Sequence, residues 1–189
     1  MLRVAISVEG KTEMEFVKGV LVPYLKNIQL TPINLEGNVS IERAVVDLRQ
    51  FMYNFDWVTT LYDFYGFKFR KNRSIDELES ALREALPRGA RNFIPYIQQY
   101  EFEALLFSDP LIAGAALAID PDILKSCGEP EKINDCPDTT PSQRLKKFSS
   151  SRYNKVVHGP SICKAIGLEK IMHECPRFKT WIQTLEALK

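Results

Sequence analysis

The segment Val4–Glu13 constrains the fold of this chain most, because an apolar run ends there in an acidic residue, a glycine and the start of a helix. The apolar half of the segment predicts a buried strand. Gly10 permits a tight turn, and Thr12 with Glu15 three residues later has the pattern of a capping box. A stripe of apolar residues at helical spacing follows, made of Phe16, Val17, Val20 and Leu21. This order places Glu9 at the carboxyl end of a strand, where open α/β sheets bind their ligands.

Length and charge narrow the class of protein. The 189 residues suffice for one α/β domain with a sizeable core, or for a domain with an appendage. With a formal net charge of +1, no global field attracts nucleic acid or a membrane, so a local patch must hold any such partner. No apolar run is long enough to cross a bilayer, and Met1–Arg3 leads into a strand rather than a signal peptide. We therefore expect a cytoplasmic protein that does not contact a membrane.

The four cysteines do not indicate a metal site. They form no C-x-x-C pair, and the two histidines do not complete a zinc-binding spacing. We interpret all four as reduced and mostly structural thiols. A disulfide between Cys127 and Cys136 stays open as an alternative.

The first half of the chain alternates strands and helices. The predicted strands are Val4–Val8, Thr31–Leu35, Trp57–Tyr62 and Asn92–Ile97, and the predicted helices are Glu13–Lys26, one capped by Ser40 and one capped by Ser74 in a second capping box. Pro32 weakens the second strand, and Pro23 kinks the first helix or ends it early. This order predicts a mainly parallel sheet with helices packed on its faces.

The second half predicts helices only. They are Phe102–Phe107, Pro110–Leu117, a short basic helix that starts at Thr140-Pro141, and two or three helices between Gly159 and Lys189 with breaks near Gly167 and Pro176. Cys127–Pro141 has the composition of a polar loop. We therefore expect an α/β domain over residues 1–108 and a helical extension packed on it over residues 109–189.

Acidic residues follow three of the predicted strands. Glu9 follows the first strand, Asp63 the third, and Glu101 and Glu103 the fourth. Because the carboxyl ends of parallel strands lie on one edge of a sheet, we expect these carboxylates to converge. Like charges in one cleft raise each other's pKa, and all-oxygen ligands suit Mg²⁺ or Mn²⁺. The pattern predicts a divalent metal site at Glu9, Asp63, Glu101 and Glu103, suited to phosphoryl transfer or phosphodiester hydrolysis.

A plainer interpretation exists for each acid taken alone. A single carboxylate at a strand end is more often solvated or caps a helix, so it is the three corresponding positions together that favour a site. Glu13 is a weaker candidate, because an acid in the first turn of a helix suits the helix dipole without any site.

Basic residues are the candidates for phosphate binding. Ser142, Arg144 and Lys147 lie in the short basic helix that starts at Thr140-Pro141, and cations near a hydroxyl and a helix start can hold a phosphate. Lys11 and Lys155 complete the set of candidates. The alternative for the helical part is a solvated face with Leu145 and Phe148 turned inward. A second basic run, Lys68–Arg73, follows Asp63 and is interleaved with aromatic residues, which either stack on bases or belong to the core.

These motifs together resemble a known family. The matching segments are Val8–Glu13, Tyr62–Gly66, Tyr100–Phe107, Ile133–Asp135, Thr140–Arg144, Tyr153 with Lys155, His158-Gly159, and Cys175–Phe178 with Trp181. Over nearly its full length the chain is similar to the bacterial family named domain of unknown function 4276. Its segment Glu9–Glu13 resembles the first motif of Toprim domains, the metal-binding fold of topoisomerases, primases and OLD-type nucleases.

The resemblance implies a Toprim-like, four-stranded, mainly parallel sheet flanked by helices, with a C-terminal helical subdomain. It implies catalytic roles for Glu9 and for Asp63, which takes the place of the first aspartate in the Toprim Asp-x-Asp motif. Tyr65 stands where the second aspartate is expected. Either Glu101 or Glu103 supplies the missing ligand, or metal binding is weaker than in standard nucleases. The resemblance also implies nucleic acid as a partner and an ATPase of the AAA or ABC type in phage-defence loci. Self-association into a homo-oligomer is a separate option that the sequence leaves open.

Three functions therefore compete. The first is a Mg²⁺- or Mn²⁺-dependent nuclease or phosphotransferase. The second is a degenerate Toprim module that binds nucleic acid or a nucleotide without cutting it and docks on an ATPase, which the Tyr65 departure favours. The third is a scaffold subunit whose acidic edge is only solvated. Resemblance alone does not decide between them, because fold and chemistry are separable.

Overall fold

The computed structural model describes residues 1–87, 90–134, 136 and 139–188. Its first half contains β1 (Leu2–Val8), α1 (Lys11–Phe16), a π-helical segment (Val17–Leu21), α2 (Val22–Tyr24), β2 (Ile28–Asn34), α3 (Ile41–Asn54), β3 (Trp57–Asp63), α4 (Ile75–Ala85), β4 (Phe93–Ile94) and β5 (Ile97–Gln98). Its second half contains a 3₁₀-helix (Phe102–Ser108), α5 (Pro110–Leu117), α6 (Pro121–Lys125), a short 3₁₀-helix (Pro130–Lys132), α7 (Pro141–Phe148), α8 (Lys155–Ile166), α9 (Leu168–Glu174) and α10 (Pro176–Glu186).

The strands form one parallel sheet. Its order is β2-β1-β3-β4, and β5 pairs with the end of β3 at Tyr62 and Asp63. Every strand pair is parallel, so the carboxyl ends of β1, β3 and β5 lie at the same edge. The α/β class and the parallel sheet predicted from the sequence are confirmed.

Helices cover both faces of the sheet, and alternate residues of each strand point to opposite faces. In β1, Val4 and Ile6 join an apolar cluster with α1 and the C-terminal helices, whereas Ala5 joins a second cluster with α3 and α4. This double burial explains why β1 is a continuous apolar run in the sequence. The boundary at residue 108 stays a prediction, and the first cluster contains residues from both sides of it.

Three prolines in the first half lie at an edge strand, at a helix end and at a break between two strands, which are positions that tolerate a residue without an N–H donor. Pro32 lies inside β2, which is an edge strand and therefore tolerates a residue without an N–H donor. Pro23 lies in the last helical turn, directly after the π-helical segment, and the helix ends at Tyr24 rather than at the predicted Lys26. Pro95 falls between β4 and β5, so the fourth strand, predicted as continuous, is split in two.

The gap in the fourth strand is held by Thr60. The Tyr96 N–H donates to Thr60 Oγ1 at 2.8 Å, and the Thr60 hydroxyl donates to the Tyr96 carbonyl at 2.8 Å. These two bonds replace ladder bonds at the break and keep β5 aligned with the end of β3. As a result, the chain that follows β5 starts at the same edge as the ends of β1 and β3.

The predicted helices of the second half are present, but α6 and the 3₁₀-helix Pro130–Lys132 were not predicted, and α8 starts at Lys155 rather than at Gly159. α8, α9 and α10 are separated at Gly167 and at Cys175-Pro176. All four cysteines are free thiols, so the alternative of a bridge between Cys127 and Cys136 is not realised. Asp135, in one of the segments that match the family, lies outside the described residues. In the part of the chain that the structure describes, no helix has both the length and the apolar content needed to span a bilayer.

Candidate active site

Glu9 occupies the edge of the sheet where β1 ends. Its Oε2 accepts a hydrogen bond from the Asp63 backbone N–H at 3.3 Å, which ties the end of β1 to the end of β3. Gly66 makes room for this carboxylate, because a Cβ at that position would lie 2.1 Å from Glu9 Oε2. Burial, then repulsion from Glu13, raises the pKa of Glu9, and the Asp63 amide and Lys155 oppose the rise.

Asp63 connects the sheet to the second half of the chain. It is the last residue of β3, and its Oδ1 accepts a hydrogen bond from the Phe102 N–H at 2.8 Å. That bond fixes the start of the 3₁₀-helix Phe102–Ser108. Burial and the negative charges of Glu13 and Glu9 raise the pKa of Asp63 well above its ordinary value.

Glu101 and Glu103 bring two further helices to the same edge. Glu101 Oε2 accepts a hydrogen bond from the Ser142 N–H at 2.9 Å, at the start of α7. Glu103 is only 3% exposed, and its Oε1 accepts from the Tyr153 hydroxyl at 3.1 Å, just before α8. Burial, then repulsion from Glu101, raises the pKa of Glu103 to about 7.

Glu13 belongs to the same group of acids, although the sequence made it a weak candidate. It is 4% exposed, and its Oε2 accepts from the Gly10 N–H at 2.9 Å. Gly10 is therefore the cap of α1 and Glu13 is its third residue, so the capping box predicted at Thr12 and Glu15 is wrong. Burial raises the pKa of Glu13, and Lys155 acts against this rise.

We call Glu9, Glu13, Asp63, Glu101 and Glu103 the carboxylate cluster. Lys155, the first residue of α8, is the cation that acts on several of its members. Burial acts to lower the pKa of Lys155, but the carboxylates, Glu103 and Glu13 foremost, outweigh it and raise the pKa. Lys68 also lowers the pKa of Glu9, so two lysines act on five acids and the acids outnumber the cations.

The donor set of the carboxylate cluster suits a hard divalent cation such as Mg²⁺ or Mn²⁺, because carboxylate oxygens are the ligands these ions prefer. Burial first, and repulsion from neighbouring carboxylates second, raise the pKa values of Glu9, Asp63 and Glu103, and a bound cation would oppose both effects. Within residues 1–87, 90–134, 136 and 139–188, no three acidic, histidine or cysteine side chains already stand in the arrangement of a cation site. Cation binding would therefore require these side chains to reorient.

Of the predicted phosphate-binding residues, Lys155 is the one whose positive charge acts on the carboxylate cluster. The Ser142 amide is used by Glu101, and its hydroxyl pairs with Thr140 at 3.1 Å. The Arg144 guanidinium donates to the Thr139 carbonyl at 2.9 Å, and Lys147 lies in the last turn of α7, away from the end that meets Glu101. Lys11 is exposed at the first position of α1.

Tyr65, which replaces the expected second aspartate, has a structural role. Its hydroxyl accepts a hydrogen bond from Asn134 Nδ2 at 3.4 Å, and its ring lies 5.8 Å from that of Tyr100. The acids that complete the group come instead from Glu101 and Glu103, on the chain that follows β5.

Tyr153 and Gly159 are among the positions that match the family, but the sequence does not predict that they pack around the acids. Tyr153 holds Glu103, and Gly159 lets α8 approach α1, because a Cβ there would lie 3.0 Å from Phe102 and 3.2 Å from Thr12. The Thr12 hydroxyl is buried without a hydrogen-bond partner among the described residues. A glycine inside a helix was the one available signal, since glycine weakens a helix and marks close packing.

Comparison with known proteins places this chain in a family. The structure resembles the C-terminal region of the Burkholderia pseudomallei OLD protein with a TM-score of 0.51 and 12% identity, over 99% of this chain and 100% of that one. This similarity confirms the expected fold. No curated protein matches the sequence. The model of the family described as domain of unknown function (DUF4276) matches residues 8–186, so the chain belongs to that family.

Proposed function

We propose that this protein is a Mg²⁺- or Mn²⁺-dependent nuclease of the Toprim type, which hydrolyses phosphodiester bonds in nucleic acid. One observation carries the proposal: five carboxylates lie together at the carboxyl edge of a parallel sheet, and they outnumber the cations that act on them, Lys155 and Lys68. Structural ion pairs need equal charges, whereas an excess of acids is suited to a bound cation.

In this proposal Glu9, Asp63, Glu101 and Glu103 hold the metal. When bound, the cation would stabilise the negative charge that develops on the scissile phosphate. Glu9 would take a proton from the attacking water at Oε1, because its Oε2 already accepts the Asp63 amide. Lys155, at the start of α8, would neutralise a phosphate oxygen through its side-chain charge, since the Val156 and Val157 amides of that helix end already donate to Asn154 Oδ1. The other predicted phosphate ligands, Lys11, Ser142, Arg144 and Lys147, would contact the substrate outside the reacting group.

The test is metal-dependent cleavage by a variant that keeps the shape of Glu9. Glu9→Gln should abolish Mn²⁺-dependent nicking of supercoiled plasmid DNA while the circular dichroism spectrum stays that of the wild type. Glu15→Gln, on the exposed face of α1, removes one negative charge from the same segment outside the carboxylate cluster, and should nick normally. Undiminished nicking by Glu9→Gln would exclude this role for Glu9.

A second function is a binding module without catalysis. Two observations favour it: Tyr65 replaces an expected metal ligand, and the described acids do not yet form a ready cation site. Under this hypothesis the protein binds DNA or RNA, and no cleavage appears with either Mg²⁺ or Mn²⁺. An ATPase partner and a role in phage defence rest on the family resemblance and belong to both hypotheses. Co-purification of the tagged protein with an ATPase, and light scattering for self-association, would examine those partners.

A further inference from the structure

The loop between β3 and α4 begins directly after Asp63 and runs from Phe64 to Arg73. It contains four cations and no acid, and the cations are Lys68, Arg70, Lys71 and Arg73. None of the four forms an ion pair with any residue that the structure describes. The loop is therefore a positive patch beside a negative cluster, and it offers its charge to an outside partner.

The base of this loop is firmly attached to the protein. Phe67 is buried, with its ring 5.9 Å from that of Tyr62, and the Lys68 N–H donates to the Val39 carbonyl at 2.8 Å. The Arg70 guanidinium lies over the Phe64 ring, 4.6 Å from its centroid. The loop is thus held at a fixed place next to the carboxylate cluster, which Gly66 touches.

The tip of the loop has features that packing does not explain. Phe69 is 81% exposed, although a phenylalanine ring is normally buried. Phe69, Lys71 and Asn72 have φ values of 56°, 49° and 60°, in the left-handed region that non-glycine residues rarely adopt. Three such residues in one short loop store backbone strain that the folded protein maintains while it exposes an aromatic ring between cations.

We propose that this loop binds single-stranded nucleic acid, with Phe69 stacked on an unpaired base and Lys68, Lys71 and Arg73 in contact with the flanking phosphates. Exposed aromatic rings among cations are how proteins hold single strands, because every base has a face for stacking and every phosphate a charge. A duplex keeps its bases stacked on one another and offers Phe69 no face. The strand would then pass from the loop to the carboxylates, so this proposal deepens the proposed function and rests on it for what happens to the strand.

Binding is measured by fluorescence anisotropy with a labelled single-stranded oligonucleotide of mixed sequence, in EDTA so that no cleavage occurs. Phe69→Ala should weaken binding by roughly five- to a hundredfold, the range for loss of one base stack, and leave the salt dependence unchanged. The triple variant Lys68→Gln, Lys71→Gln and Arg73→Gln should lower the slope of log K against log salt by about 2, at about 0.7 per lost phosphate contact on a single strand. Duplex DNA should bind more weakly and respond little to Phe69→Ala.

Tyr53→Ala is the matched control, because Tyr53 is an 86% exposed aromatic residue on α3 outside the loop. Three results would each overturn the proposal. Phe69→Ala could bind the single strand with wild-type affinity, Phe69→Ala and Tyr53→Ala could lose the same affinity, or Phe69→Ala could lose the same affinity for duplex as for single strand. Absence of single-strand binding by the wild type would overturn it too. Phe69-dependent binding without any Mn²⁺-dependent cleavage would support single-strand binding by the loop and refute the proposed nuclease activity. Failure of one proposal can therefore be told apart from failure of the other.

Discussion

Replacing Glu103 by glutamine should stabilise the metal-free protein at pH 8 and leave it nearly unchanged at pH 4.5. Glu103 is 3% exposed, and its pKa is raised to about 7 by burial and by repulsion from Glu101, against an ordinary value of 4.5. The folded state therefore holds the proton more tightly than the unfolded state. Such a group contributes stability that is fully present below pH 4.5 and is lost as the pH rises through 7.

The size of the effect follows from the difference between the two pKa values. At about 1.4 kcal/mol per pH unit, the charged form of Glu103 lowers the free energy of unfolding by about 3 kcal/mol above pH 7. Glutamine has no charge to bury, and its Oε1 can still accept the hydrogen bond from the Tyr153 hydroxyl. For a chain of this size the gain corresponds to about 6–12 °C in Tm.

The assay is urea unfolding in EDTA at half-unit steps from pH 4.5 to pH 8.5, for the wild type and Glu103→Gln. The difference in the free energy of unfolding should be close to zero at the acid end and grow between pH 5 and pH 7.5. Glu84→Gln, an exposed acid on α4, is the control and should follow the wild type at every pH. A constant difference across this range, or a Glu103→Gln protein less stable than the wild type at pH 8, would refute the reasoning.

Two further substitutions examine the packing around the site and the sheet. Gly66→Ala should reduce Mn²⁺-dependent nicking at least about tenfold with little change in Tm, because the new Cβ would lie 2.1 Å from Glu9 Oε2 and displace that carboxylate. Gly19→Ala, where a Cβ meets nothing within 4 Å, is its control, and equal activity in the two variants would contradict the prediction. Trp181→Phe should lower the free energy of unfolding by about 2 kcal/mol in urea titrations, because it removes a buried 2.8 Å bond to Thr59 and part of a stack on Tyr96 at 4.4 Å. A loss below about 0.5 kcal/mol would show that neither contact matters.

Local signals in the sequence predicted the scaffold well. Ser40 and Ser74 cap their helices through side-chain hydrogen bonds, as the patterns indicated. Strand ends were predictable too, because a parallel sheet gathers the residues that follow its strands, and Glu9 and Asp63 do meet through a hydrogen bond. Signals of this kind depend on a few neighbouring residues, which is why one sequence suffices to find them.

The rest of the site depends on contacts between distant parts of the chain. Glu13 is buried because α8 packs against α1 at Gly159, and nothing near Glu13 in the sequence reports that approach. The bond between Glu103 and Tyr153 joins residues 50 positions apart. The first capping box was misplaced for a related reason: Thr12 has the right type of side chain, but its hydroxyl is buried inside the fold and Gly10 is the cap.

The instability that Glu103 causes and the proposed chemistry have one physical origin. The cost of burying charged carboxylates, increased by their mutual repulsion, is what a divalent cation offsets when it binds, and a ligand of the folded state stabilises that state by mass action. The effect of Mn²⁺ on unfolding should therefore oppose the effect of glutamine at position 103. Mn²⁺ should raise the Tm of the wild type more at pH 8 than at pH 5, and should raise that of Glu103→Gln less at both. If the acids were only solvated residues at the sheet edge, Glu103→Gln would change neither the metal-free stability nor the shift in Tm that Mn²⁺ causes. The two measurements together therefore distinguish a cation-binding site from a solvated acidic surface.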